Sequence, residues 1–175
     1  MKITLETERL ILRPFRMEDA DAMFFNWAND PFVTRFLTWP PHGSVEKTRK
    51  FMEIWVSQYE KPERLNFAME LKETGELIGG IDVCGYLGGV NGTPVLGCAM
   101  AKKHWSKGYA AEALRRLVDL LFERGYKEIR ADAMVDNIGS NKLIRKCGGV
   151  FVGVEPMERP LKHDIVIINK YIFRK

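Results

Sequence analysis

The sequence predicts a mixed α+β domain, in which one sheet carries both parallel and antiparallel strands. Three observations carry that reading. Segments that alternate apolar and polar residues around Gly-bearing turns, such as Leu65 to Leu71 before Thr74-Gly75, read as antiparallel hairpins. Residues 96 to 147 run strand, loop, helix, strand, helix, the order that builds a parallel strand pair. At 175 residues, 46% hydrophobic and 29% charged, the chain has the length and composition of one globular domain. Residues 1–175 therefore read as a single domain, with no repeat, low-complexity stretch or linker.

The elements follow in order. Arg9 to Arg13 is a short strand halted by Pro14. Glu18 to Ala28 is helical with Ala22, Phe24 and Phe25 facing inward. Asp30-Pro31 ends it, because the residue before proline avoids the α region. Ser44 caps a second helix that runs to Tyr59, with Phe51, Ile54 and Trp55 on its inner face. Between these helices lies Phe36 to Gly43, an aromatic loop stiffened by Pro40 and Pro41. After the Leu65 to Ile78 hairpin, a further strand pair turns near Gly88 to Gly92 and returns as Pro94 to Met100. Ala110, Ala113, Leu114, Leu117, Val118 and Leu121 form the stripe of a helix packed on a sheet, and Gly125 ends it. Glu128 to Met134 is a strand, and Asn137 to Cys147 is a short helix closed by Gly148-Gly149. Val150 to Val154 and Asp164 to Phe173 are the last strands. The stretch Val166 to Phe173 reads as a sheet edge across which two copies could pair as a homodimer.

Composition excludes several classes. No apolar run approaches the ~20 residues that span a bilayer. The start, Met1-Lys2-Ile3-Thr4-Leu5-Glu6, turns polar too early for a signal peptide, so a cytoplasmic protein without a membrane partner is expected. Cys84, Cys98 and Cys147 are too scattered for a disulfide framework, and His42, His104 and His163 stand apart, so no metal is expected. A net charge of +4, spread along the chain, suits an anionic cofactor at least as well as nucleic acid, and no nucleic-acid partner is expected.

The segment Trp105-Ser106-Lys107-Gly108-Tyr109-Ala110-Ala111 carries the chemistry. A strand end at Leu96 to Met100 feeds a glycine-bearing loop and then a helix N-terminus. Free backbone N–H groups and the positive end of the helix dipole converge there, which favours a phosphate or pyrophosphate. Small residues after Gly108 let the backbone approach a ligand closely. The run matches neither the Walker A nor the G-x-G-x-x-G fingerprint, and a glycine that merely eases helix entry would look the same. A second strand feeds a second helix at Asp136-Asn137-Ile138-Gly139-Ser140. Asn137 and Ser140 can hold the polar chain of the same ligand, or Asn137 can serve only as an N-cap.

In this order the segments resemble the GNAT-type acyl-CoA N-acyltransferases, in their ribosomal-protein N-acetyltransferase (RimJ/RimL-like) branch. The resemblance covers nearly the whole chain. Thr7 to Pro14 matches the opening strand, Glu18-Asp19-Ala20 the first helix and Thr74 to Gly79 the central hairpin. Trp105 to Leu114 looks like the pyrophosphate loop, and Asn137 to Gly148 the last motif. The resemblance implies a strongly twisted mixed sheet of about seven strands, flanked by about four helices, that splays at a central parallel pair. It implies acetyl-CoA as cofactor, with pantetheine lying in the splay.

Residue by residue, it implies that the loop Trp105, Ser106, Lys107, Gly108, Tyr109 and Ala110 grips the pyrophosphate. Met100 and Ala101 would bond pantetheine amides and polarise the thioester carbonyl. Asn137 would contact the pantetheine arm, and Lys142 or Lys146 would reach the 3′-phosphate. An amine then attacks the thioester directly, helped by a preset N–H donor and an acid near the leaving thiolate. Many members carry a Tyr seven residues after the Asn; here Ile144 stands there, and Ser140 is the candidate thiolate partner. The branch's acidic residue two positions before Gly97 is Val95 here. A weak base or a water chain can serve a free α-amine, with Asp82 on the neighbouring strand as the fallback base, although an Asp there can also be only a solvated or hydrogen-bonded group. Cys98 reads as a small buried hydrophobe rather than an acyl carrier. Trp39, with Phe36 and Tyr86 behind it, is the candidate acceptor-pocket wall, although aromatics in such a connection also fill core. The acceptor is a protein N-terminus or a small-molecule amine. A non-catalytic acyl-CoA binder and a ribosome- or RNA-associated protein remain alternatives.

Overall fold

The computed structural model describes residues 3–60, 65–84 and 92–175. One sheet of eight strands runs through them in the order β1-β2-β3-β4-β5-β6-β8-β7. The strands are β1 (Leu5–Glu6), β2 (Leu10–Arg13), β3 (Asn66–Leu71), β4 (Leu77–Cys84), β5 (Val95–Met100), β6 (Glu128–Met134), β7 (Val150–Arg159) and β8 (Asp164–Arg174). Every pairing is antiparallel except β5 with β6. The expected mixed α+β sheet is therefore present, extended by the two-residue β1. The turn expected at Gly88 to Gly92 lies largely outside the described residues, and so does Tyr86.

Helices cover both faces. On one lie α4 (Tyr109–Glu123) and α5 (Ile138–Lys146), packed on Leu10, Phe67, Ile81, Leu96, Ile129 and Tyr171. On the other lie α1 (Asp19–Met23), the short α2 (Pro31–Thr34) and α3 (Val45–Ser57), whose core includes Phe15, Trp27, Met52, Tyr59 and Ala68. Fully burying side chains of this size contributes about 1.5–3 kcal/mol each. Arg13, buried between Asp19 and Glu70, ties β2 to α1 and β3. The bidentate Asp19 bond leads the causes that raise its pKa.

The first helix departs from the sequence expectation. After α1 the chain widens into a π turn at Phe24–Ala28, which rotates the inward face onto Ala20, Met23 and Trp27. Phe25 is thereby left 74% exposed instead of facing inward. In α3 the buried residues are Thr48 and Met52, with Phe51 and Trp55 packed beside them, while Ile54 faces solvent. The final strands also differ. β8 lies inside the sheet between β6 and β7, so the Val166 to Phe173 stretch is not an edge. The edge is β7, and a bulge near Phe151 and Gly153 together with Pro156 blunt it.

Candidate active site

β5 and β6 pair only at Val95↔Arg130 and Leu96↔Ala131. Beyond that point β5 stays zipped to β4, and β6 to β8, so the parallel strands separate toward their carboxyl ends. The β4–β5 ladder decides which groups line the gap. Ala101 donates its N–H to Ile78 O at 2.8 Å, which fixes the alternation and turns the backbone groups of Cys98 and Met100 away from β4. This amends the role expected for Ala101. Its N–H belongs to the sheet, and its carbonyl accepts from His104 N at 2.9 Å. The Met100 carbonyl accepts the Trp105 indole N–H at 2.8 Å, leaving the Met100 N–H toward the gap.

The loop after β5 is built to present N–H groups. Ser106 and Gly108 both take positive φ, 62° and 87°, and Gly108 serves as N-cap of α4 with no capping side chain. The first N–H taken up by the helix is that of Glu112, which donates to Gly108 O at 3.1 Å. The N–H groups from Ser106 to Ala111 take no helical partner among the described residues and stand at the positive end of a fifteen-residue helix. Only glycine adopts φ near +87° without strain, and a Cβ there would also stand 3.2 Å from Arg9 Nη2.

What backs this loop is not legible in any local pattern of residues. Glu112 accepts from Thr7 Oγ1, from Arg9 N at 2.7 Å and from Arg9 Nε at 2.8 Å. Arg9 Nη1 donates to Lys107 O at 3.1 Å, and the guanidinium lies 4.4 Å from the Tyr109 ring centroid. Desolvation opposes ionisation of Glu112, but those hydrogen bonds outweigh it and hold the carboxyl below its ordinary range. The β1–β2 turn thus bolts the loop from behind, using separations of about a hundred residues that no local pattern reveals.

At the end of β6, Asn137 caps α5, its Oδ1 accepting from Ser140 N at 3.1 Å. The cap reading of Asn137 is thus realised. The Ser140 hydroxyl is half-buried and bonds no described residue. Lys142 and Lys146 are exposed on α5. The missed residue is Asn141, 8% exposed. Its Nδ2 donates to the Met134 and Asn137 carbonyls at 2.9 and 2.8 Å. Its Oδ1 accepts from Asn169 Nδ2 at 2.8 Å and Tyr171 OH at 2.7 Å. Asn141 therefore locks the start of α5 to β6 and β8.

The sheet face opposite α4 forms the other side of the gap. There Asn66, Asp82 and Gly97 stand in one row across β3, β4 and β5. Asp132 follows on β6, one residue past the last parallel pair, its carboxylate held by Arg130 Nε at 2.8 Å. The glycine leaves the floor open between the two carboxylates. On the α4 face, burial first and the Asp82 charge second push the Cys98 thiol up to about 12, which leaves it protonated at neutral pH and no acyl carrier. Phe36 and Trp39 are half-buried on the loop after α2. Trp39 also stacks 4.7 Å from His42 and 6.3 Å from Phe51, so it serves core and loop together. Among the described residues, no three His, Cys, Asp or Glu side chains cluster to hold a metal.

A sheet opened between parallel strands, with an N–H cradle at the end of one of them, can hold an extended ligand that carries an anionic group. Comparison with known proteins gives the family. The Acetyltransferase (GNAT) domain profile matches residues 9–150, and the chain belongs to that family. It is 33% identical over 144 residues to the N-acetyltransferase p20 of Bacillus licheniformis, itself uncharacterized, covering 81% of this chain and 79% of that protein. A GNAT-family acetyltransferase from Bacillus anthracis superposes with a TM-score of 0.83 at 24% identity, covering 98% of both chains. The RimL ribosomal L7/L12 alpha-N-protein acetyltransferase, solved with coenzyme A, superposes at 0.85 with 19% identity over 98% of both. These two likenesses establish the fold. The chain is an acetyl-CoA-dependent acetyltransferase, and no helix among its described residues is long and apolar enough to cross a membrane.

Proposed function

We propose that the chain moves the acetyl group of acetyl-CoA to a primary amine, on a protein N-terminus or a small molecule, by direct attack on the thioester. The observation that carries this reading is the gap itself. Its α4 end offers backbone donors to an anion, and its floor offers carboxylates to an amine. The N–H groups from Ser106 to Ala111 hold the pyrophosphate. The backbone of Cys98 and Met100 aligns the pantetheine, with the Met100 N–H stabilising negative charge on the carbonyl oxygen. Lys142 or Lys146 reaches the 3′-phosphate from the exposed side of α5.

Chemically, a C–N bond forms and the C–S bond breaks. The amine loses a proton to Asp82, directly or through water. An α-amine with a pKa of about 8 is already partly neutral and asks little of that base. The leaving sulfur takes a hydrogen bond from the Ser140 hydroxyl, whose backbone is fixed by Asn137. Phe36 and Trp39 wall the acceptor side, and Tyr86 is assigned there from the sequence alone.

The test is a thermal melt with and without acetyl-CoA in the parent and in Gly108→Asp. Saturation about 100-fold above the dissociation constant stabilises the parent by ~2.7 kcal/mol, a rise of roughly 5–10 °C. The variant, which places a carboxylate among the phosphate donors, loses the shift. An equal shift in both proteins moves the pyrophosphate elsewhere and overturns the assignment of the loop.

A further inference from the structure

The loop that walls the acceptor side is held from a distant part of the chain, the tip of the β7–β8 hairpin. Arg159 ends β7 and is 6% exposed, yet its guanidinium is fully engaged. Nε donates to Asp164 Oδ1 at 2.8 Å, and Nη2 donates to the other oxygen of that carboxylate. Nη1 leaves the hairpin and donates to the carbonyls of Arg35 at 2.7 Å and Leu37 at 3.2 Å, lying 3.7 Å from Met134 Sδ. Lys162, in the hairpin turn, adds Nζ bonds to Thr34 O at 2.7 Å and Arg35 O at 3.3 Å. Two cations thus collect three carbonyls where α2 ends and the Phe36–Gly43 loop begins.

Stability alone is a poor reason for this arrangement. Only the guanidinium side of the Arg159–Asp164 pair is buried; the carboxylate is 41% exposed, and solvent screening leaves such a pair little to contribute to stability. What such a pair supplies is position, because a planar guanidinium aims its donors in fixed directions. The position here is the mouth of the gap. Met134 is the last residue of β6 and shares the floor face with Asp132, while the carbonyls that Arg159 grips flank Phe36 and lead into Trp39. We infer that Arg159, oriented by Asp164, is the positioning residue that fixes the Phe36–Trp39 segment as the acceptor-side wall, so that acceptor fit depends on it while acetyl-CoA binding does not. The inference rests on the amine-acetyltransferase reading above.

The test uses the full chain with Arg159→Met and Arg159→Lys, read in two ways. Amide hydrogen exchange over residues 35–43 is set beside the calorimetric dissociation constant for acetyl-CoA. Thiol release is then followed with a Ser-headed tetrapeptide amide and with spermidine as acceptors. In Arg159→Met the loop amides exchange about tenfold faster and the acceptor KM rises by roughly tenfold, while acetyl-CoA affinity stays within about twofold. Arg159→Lys, which keeps the charge but not the fork, falls between. Unchanged exchange overturns the inference, and so does an acetyl-CoA affinity that falls as far as the acceptor's. If the parent acetylates neither probe, the amine reading fails for those acceptors and the exchange and calorimetry arms still decide the clamp.

Discussion

Ser140 stands in the first turn of α5, half-buried, with its backbone N–H taken by Asn137. A hydroxyl held this way can donate to a sulfur that gains charge as the C–S bond breaks. In the proposed role its contribution is confined to the transition state, which makes the expected signature specific. Ser140→Ala lowers kcat by about tenfold or more and leaves the KM for acetyl-CoA near its parent value. A rise in that KM at unchanged kcat would instead make Ser140 a ground-state contact of the pantetheine arm. Arg9 acts one step further back. It touches the loop through Lys107 O and the Tyr109 ring, beside Gly108, and it is oriented by Glu112. Glu112→Gln keeps the shape but removes the charge, so Arg9 is held more loosely. The expected result is acetyl-CoA binding weakened about three- to tenfold, measured by calorimetry, with the melting temperature lowered only slightly, because Arg9 is 43% exposed and solvent screens the pair.

At the scale of elements, α5 owes its placement to Asn141 more than to its short apolar stripe. One amide serves two carbonyls and two donors across β6, β8 and the helix start. Asn141→Ala leaves those groups buried and unsatisfied, which costs about 2–4 kcal/mol and lowers the melting temperature by roughly 5–15 °C. Asn141→Asp, which restores the acceptor but not the donor pair, recovers only part of this. The same residue shows what could be read from the chain. Asn137 announces itself, because a cap is a local arrangement and its partner lies three residues on. Asn141 does not, since its partners Asn169 and Tyr171 arrive from another strand. The glycine loop before α4 was legible for the same reason as Asn137, whereas the Arg9–Glu112 bolt behind it was not. Local periodicity failed in α3, where Ile54 faces solvent from a regular helix, and again after α1, where the geometry broke it. The π turn at Phe24–Ala28 shifts the helical phase, so Phe25 points outward and Trp27 inward. Strand order was beyond reach as well, because placing β8 between β6 and β7 depends on nonlocal register that alternation does not encode.

For the whole molecule, pH acts through His42 and through the carboxylates in separable ranges. His42 is buried among Trp39 and Phe51 with its Nδ1 2.8 Å from Thr48 Oγ1. Burial, helped by the Lys47 charge, pushes its pKa down to about 4. In the unfolded chain the same imidazole titrates near its ordinary value of about 6.5. Above that value it is neutral in both states and stability is full. As pH falls from about 6.5 toward 4 the unfolded chain takes up a proton that the folded chain refuses, so stability declines. Below about 4 that loss is complete. The carboxylates behave differently. Glu112, Glu76, Glu155 and Asp164 are held below their ordinary values chiefly by cationic and hydrogen-bonding partners. Their contribution is present above about 4.5 and drains away only as pH falls beneath it. Acid should therefore weaken the packing around His42 first and the carboxylate contacts second, Glu112 behind the glycine loop and Asp164 at the hairpin tip among them. The check is the melting temperature between pH 7.5 and 3.5 in the parent and in His42→Phe. The variant keeps the ring contacts, loses the Thr48 bond and starts lower at neutral pH, but its curve stays flat to about 4.5 and then falls with the parent's. An identical slope between 6.5 and 4.5 in both proteins would remove His42 as the cause and leave the acid sensitivity in that range to other groups.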